Sequence, residues 1–262
     1  MDSVEKFPVQ RVTRESRNDI EDIVTKELPL TIILDNIELT TLLCSPTDLK
    51  YLAVGFLVSE GLLKGKDDIR KIVVDERRGV VRVEAVEGKE FAPGVFKRLI
   101  TSGCGRGVSF YSAADVQGQT KIKSETTISS TAVFTLVREF QHRSQVYRTT
   151  GGVHSAALCD TGSILLFNED IGRHNAIDKI FGECLLKGIS VDDRIIITSG
   201  RVSSEILLKV AKRNIPILIS KSAPTDLGVR LAHDLGVTLI GFVRGGRMNV
   251  YAGGWRVMTN GK

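Results

Sequence analysis

"RIIITSGRVSSEILLKVAKRNIPILISKS", residues 194–222, decides the fold. A short β-branched run, Ile195-Ile196-Ile197, breaks at Ser199-Gly200; a helical stretch follows and then a second apolar run, Ile217-Leu218-Ile219. Runs this short and this apolar read as strands buried on both faces, and the intervening helix makes a strand–helix–strand unit. Working outward, the pattern repeats. Strand-like "SILLFNED", helical "RHNAIDKIFGECLLKG", helical "TDLGVRLAHDLG" and the strands "TLIGFVR" and "MNVYAG" flank the unit, and a further helix is expected at about 130–144. The alternation predicts an α/β fold with a mixed, largely parallel sheet covered by helices.

In such sheets ligands collect beyond the carboxyl ends of the strands. That places three loops on one edge: Ser199-Gly200-Arg201, the loop from Lys221 and Ser222 to Thr225, and Arg244-Gly245-Gly246-Arg247. Each combines small residues with a cation, a combination that suits phosphate. Charge is skewed the same way: residues 194–262 carry eleven Lys and Arg against Glu205, Asp226 and Asp234, a balance of +8 in a chain of net +5. The skew suits an anionic partner at that end, nucleic acid or a phosphorylated cofactor, and equally a solvated basic face. Nucleic acid is disfavoured, because aromatic residues make up only 6% of the chain and none interleave with the basic ones for base stacking.

Residues 1–125 read as a strand-rich part with one long helix, and 126–262 as the α/β part, with the polar stretch 112–130 as linker. Asp35-Asn36 signals a hairpin. In "SPTDLKYLAVGFLVSEG", Ser45 is the expected N-cap, Pro46 the first helical residue and Gly61 the end. No apolar run reaches the ~18 residues of a membrane helix and the start has no signal-peptide core, so a cytoplasmic location is expected, with no membrane partner.

"EDIGRHNAIDK", 169–179, concentrates titratable groups at a strand-to-helix junction. On a helix His174 and Asp178 share a face at i, i+4, as do Asn175 and Lys179, while Ile177, Ile180, Phe181 and Cys184 form a core stripe. A surface ion pair accounts for His174 and Asp178, but the clustering favours ligand recognition. His154, after a Gly-Gly turn, reads equally as a structural histidine.

Cys44, Cys104, Cys159 and Cys184 lie too far apart for a zinc site or redox pair. The zinc-deaminase pattern is absent, because Ser155-Ala156 follow His154 and no Cys-x-x-Cys exists; no metal site is expected. "GLLKGKDD" lacks the spacing of a phosphate loop. Cys104 stands apart in "TSGCGRG", where glycines leave the backbone free and Arg106 favours a thiolate.

Together, "TSGCG", "TTGGVHSAAL", "EDIGRHNAIDKIFG", "SGRVSSEILLKVAK", "SKSAPTDLGVRLA" and "GFVRGGRMNVYAG" resemble the FdhD family, the sulfurtransferases accessory to formate dehydrogenase. The motifs run in order over about 101–253; "SPTDL…AVGFLVSEG" matches more weakly. The resemblance implies a persulfide relay. A cysteine desulfurase loads sulfane sulfur onto Cys104, which passes it to the molybdenum cofactor, bis-molybdopterin guanine dinucleotide, before insertion into formate dehydrogenase. It also implies a cytidine-deaminase-like three-layer core without zinc, a homodimer, and a cofactor segment at Phe242, Val243, Arg244, Gly245, Gly246 and Arg247. Ser199, Gly200, Arg201, Ser222, His174 and Asn175 complete the expected cofactor site. Many relatives carry Cys-x-x-Cys where this chain has Gly107, so either one cysteine suffices or this member works differently; the first is favoured, since transfer needs only the carrier sulfur and an acceptor. A non-covalent cofactor chaperone is the alternative.

Overall fold

The computed structural model describes residues 3–86 and 121–259. Cys104, Arg106, Gly107 and residues 112–120 of the expected linker lie outside them. The expected helix at 130–144 is Ser130–Arg143, and the later strands and helices fall where the alternation placed them.

A six-stranded sheet forms the centre, in the order β13 (Arg247–Ala252), β12 (Thr238–Arg244), β11 (Ile217–Ser220), β10 (Ile195–Thr198), β8 (His154–Cys159), β9 (Ile164–Asp170). The expectation of a largely parallel sheet is corrected: only β10–β11 and β11–β12 are parallel, and the other three pairings are antiparallel. β8 and β9 are joined by a tight turn in which the Asp160 carboxylate accepts the Gly162 and Ser163 amides, and such a turn reverses the chain. The mixed character of the sheet stands.

Side chains alternate across this sheet and fill two cores. Ile196, Leu218 and Leu239 face α4 (Arg173–Lys187), α5 (Ser204–Ala211) and α6 (Asp226–Leu235). Ile195, Ile197, Ile217 and Ile219 face Val133, Leu136 and Phe140 of α2 (Ser130–Arg143). Burying each such side chain contributes about 1.5–3 kcal/mol. The result is three layers, helix on sheet on helix. The expected stripe of Ile177, Ile180, Phe181 and Cys184 on α4 is buried against the sheet. Two helices open with side-chain caps: Ser129 Oγ accepts the Ala132 amide for α2, and Thr225 Oγ1 accepts the Gly228 amide for α6.

The preceding residues form a second sheet, ordered β4 (Ile37–Cys44), β3 (Leu28–Leu34), β6 (Val80–Ala85), β5 (Ile69–Asp75), with α1 (Leu49–Ser59) packed over it. The β3–β4 hairpin turns at Asp35 and Asn36, both at positive φ (45° and 66°) as a two-residue hairpin turn requires. The strands β1 (Val4–Val12) and β2 (Arg17–Thr25), not singled out in the sequence, pair as a separate antiparallel ribbon. β7 (Ile128–Ser129) and β14 (Val257–Met258) make a short parallel pair, and α3 (Gln145–Thr150) precedes β8.

The start of α1 also departs from expectation. The helix begins at Leu49 behind Asp48, and Ser45 caps nothing there. Ser45 is buried instead, its amide donating to Asp170 Oδ2 (3.1 Å) and its hydroxyl accepting from the Ile171 amide. Further along, α1 crosses α4 with the backbones in contact. A Cβ on Gly55 would run into the Asp178 carbonyl, and one on Gly182 into the Tyr51 carbonyl.

Candidate functional site

Parallel β10, β11 and β12 end at one edge of the sheet, and antiparallel β8 begins there. His154, Ser199, Lys221 and Arg244 are thereby gathered from four strands. α2 lies along this edge. Between them is a cavity of about 700 Å³, lined by Phe140, Gln141, Ser144, Tyr147, Arg148, His154, Ile171, Ser199 and Lys221 among others. A second groove of about 390 Å³ lies against Phe134, Arg138, Gln141, Val243, Arg244, Gly245 and Gly246. Gln141 belongs to both, so they form one cleft. The α2 residues lining it run from Phe134 to His142, which at 1.5 Å per residue is about 12 Å of helix.

At one end the chain turns back through Gly245 and Gly246, at φ 56° and 73°, setting Arg244 opposite Arg247. Like charges placed opposite each other repel. Neither arginine makes an ion pair among the described residues, an arrangement an anion would relieve. Phe242 holds φ 53°, which a bulky residue rarely adopts, and the Arg244 guanidinium stands 5.3 Å from its ring centroid. Val243 is buried in the core under α2, so its contribution is packing.

At the other end Ser199 Oγ accepts the Ser155 amide (3.0 Å) and lies 3.4 Å from His154 Nδ1. Burial, then the Arg173 charge, lower the His154 pKa, with Asp170 opposing. Burial lowers that of Lys221. Glu169 lies outside the cavity lining, where its charge acts on Arg148. Its carboxylate accepts the Val146 and Tyr147 amides at the start of α3, and burial raises its pKa against those bonds.

The remaining nominated residues divide. Gly200 is buried behind the cavity; its carbonyl accepts from Ser220 Oγ, and a Cβ there would press on Arg173. Arg201 is exposed outside the lining. The Ser222 carbonyl accepts the Phe242 amide, which ties the second and third loops together. His174 Nε2 lies 3.3 Å from a Glu205 carboxylate oxygen; burial, then Lys209 and Arg173, push the ring's pKa down to about 3 and keep it neutral.

Asn175 faces the interior, donating to the Leu43 carbonyl and to Asp170 Oδ1. The surface pairing of His174 with Asp178 is absent: Asp178 is buried, accepting from Ser59 Oγ and pairing with Lys209 at 2.5 Å. "EDIGRHNAIDK" therefore works mainly as a junction that ties α1 and its preceding loop to α4. Tyr147, Arg148 and Gln141 were not nominated. Tyr147 and Arg148 sit on a helix of one and a half turns, signalled in the sequence only by the Gly-Gly pair that follows.

Among the described residues no group of three or more His, Cys, Asp or Glu could hold a metal ion, and no helix is long and apolar enough to cross a membrane. Cys44, Cys159 and Cys184 are buried, and burial pushes each thiol up to about 12.

The chain is 45% identical over 248 residues to the sulfur carrier protein FdhD of Bacillus subtilis, covering 93% of each. It is 42% identical over 260 residues to that of Listeria innocua, covering 98% of this chain and all of the other. A crystal structure from Desulfotalea psychrophila, assigned as a formate dehydrogenase accessory protein, superposes with a TM-score of 0.83 at 26% identity over 98% of this chain and 100% of that one. The model of the FdhD/NarQ family matches residues 25–258, from the end of β2 to β14 and so across both sheets and the whole cleft: the chain belongs to that family.

Proposed function

We propose that the protein is a sulfur carrier required for formate dehydrogenase activity. The Cys104 thiolate attacks the terminal sulfur of a cysteine desulfurase persulfide; that S–S bond breaks, a new one forms on Cys104, and the desulfurase thiolate leaves. Cys104 then hands the sulfane sulfur to bis-molybdopterin guanine dinucleotide, bound as cargo with a guanine nucleotide on Phe242–Arg247: the persulfide S–S bond breaks, the Cys104 thiolate leaves, and reduced molybdenum of the cargo supplies the two electrons that bring the sulfur to the sulfide level. The core is of the cytidine-deaminase-like kind, and the working form is a cytoplasmic homodimer.

The observation that carries this reading is the state of the other three thiols. A carrier needs a thiolate that can meet two partners, and Cys44, Cys159 and Cys184 are buried with pKa values near 12. Cys104 is the cysteine left for the work. The unpaired Arg244 and Arg247 across a glycine turn, and the names of the relatives, support the rest.

Incubation with a desulfurase and cysteine, followed by peptide mass spectrometry, should place one added sulfur on Cys104. Cys104→Ser should abolish loading and leave cells without active formate dehydrogenase. Full activity with Cys104→Ser would leave only a non-covalent cofactor carrier. Loss of guanosine diphosphate binding in Arg244→Ala/Arg247→Ala tests the nucleotide end separately.

A further inference from the structure

The 700 Å³ cavity is chemically one-sided. His142, Arg148, His154 and Lys221 line it, and no Asp or Glu does. Lys221 is half-buried at the end of β11 and its ammonium has neither an ion pair nor a hydrogen bond among the described residues. A lysine taken out of water without a partner is costly unless something anionic completes it. Behind the wall, Arg173 packs on Gly200 with its Nε buried and unbonded, adding a second cation with no ion pair among the described residues. Glu169, outside the lining, accepts the α3 amides and offsets the Arg148 charge, which leaves Lys221 as the lining cation without an acid among the described residues.

We infer that this cavity is an anion subsite in its own right, in which Lys221, with Ser199 and Arg148, takes a phosphate group at the opposite end of the cleft from the Arg244–Arg247 turn. Tyr147 and Phe140 supply apolar wall for whatever carries that phosphate. The inference deepens the proposed function and rests on it for the natural ligand. A molecule with two phosphate-bearing arms would occupy both ends of the roughly 12 Å cleft along α2.

The test uses the full chain at low ionic strength, with inorganic phosphate and guanosine diphosphate as probes and calorimetry as readout. Lys221→Gln should weaken phosphate binding at least about tenfold, the loss of one charge-assisted hydrogen bond, whereas Arg244→Ala/Arg247→Ala should leave that site intact. Phosphate binding unchanged in Lys221→Gln overturns the inference. A second measurement needs no variant. Acetylation of wild-type Lys221, followed by mass spectrometry against exposed Lys50 as control, should slow about tenfold when phosphate fills the site; no protection overturns the inference too. Protection by guanosine diphosphate in Arg244→Ala/Arg247→Ala assigns the site to a nucleotide arm, and protection by phosphate alone assigns it to the free ion. Cys104→Ser should keep both readouts, so a failure of sulfur loading would leave this site standing.

Discussion

Lys179 Nζ stands 2.8 Å from Asp170 Oδ2, and neither side chain reaches solvent. Asp170 also accepts the Ser45 and Gly172 amides and Asn175 Nδ2, so its lone pairs are satisfied from both sheets' connecting loops. Lys179→Met removes the one cation and strands a buried carboxylate, at a cost of about 3–5 kcal/mol. Urea unfolding should show it, and adding Asp170→Asn should recover part of the loss. A cost below about 1 kcal/mol would mean that the pair is dispensable.

Backbone contact between α1 and α4 makes a second expectation. Gly55→Ala and Gly182→Ala each force a methyl group onto a carbonyl of the other helix. Overpacking of this kind costs about 1–3 kcal/mol, more where the obstacle is backbone. Both variants should melt well below wild type, whereas Gly162→Ala, whose nearest neighbour is the Asp160 carboxylate at ordinary contact distance, should not.

The thiols give a chemical expectation. With pKa values near 12, Cys44, Cys159 and Cys184 present about one thiolate in ten thousand at pH 8. Native protein treated with iodoacetamide should be alkylated at Cys104 and spared at the other three until it unfolds. Rapid native labelling of Cys159 would contradict its burial.

His174 sets an acid limb. Its folded pKa, about 3, lies below the unfolded value of 6.5, so between these the unfolded chain binds the extra proton. The contribution is fully present above pH 6.5 and is lost as pH falls towards 3. His174→Gln should flatten the fall in melting temperature over that window. Equal slopes would show the ring protonating freely beside Glu205. The same variant bears on function: if His174 serves the ligand, guanosine diphosphate affinity falls with stability at neutral pH nearly unchanged.

Much of the fold was legible because short β-branched runs alternate with helical stretches from Ile195 to Ala252. Direction was not. The reversal between β8 and β9 is made by a four-residue turn at Asp160–Ser163, too short for a crossover, but β8 before it was not singled out as a strand. Ser45 looked like a helix cap because Ser-Pro usually is one, yet Asp170, 125 residues later, claims its amide. The site was legible in the same uneven way. Helical spacing placed His174, Asn175 and Asp178 correctly on α4. Their partners Glu205, Leu43, Ser59 and Lys209 come from other elements and carry no local signal. Lys221 was within view in its loop, but its lack of a partner is a property of three dimensions.

Arg256 has a consequence for the order in which the chain can be completed. Its guanidinium donates to the carbonyls of Ser124 and Gly236, and the next residues, Val257 and Met258, pair with Ile128 and Ser129. The Ser124 contact closes a loop of 132 residues. On the ribosome the segment at Ser124–Ser129 must wait, its carbonyls unclaimed, until nearly all of the α/β part has been synthesised. Contacts of such long range form late and slow folding. The β3–β4 hairpin is under no such constraint and is free to form early in translation, whereas α1 waits for α4.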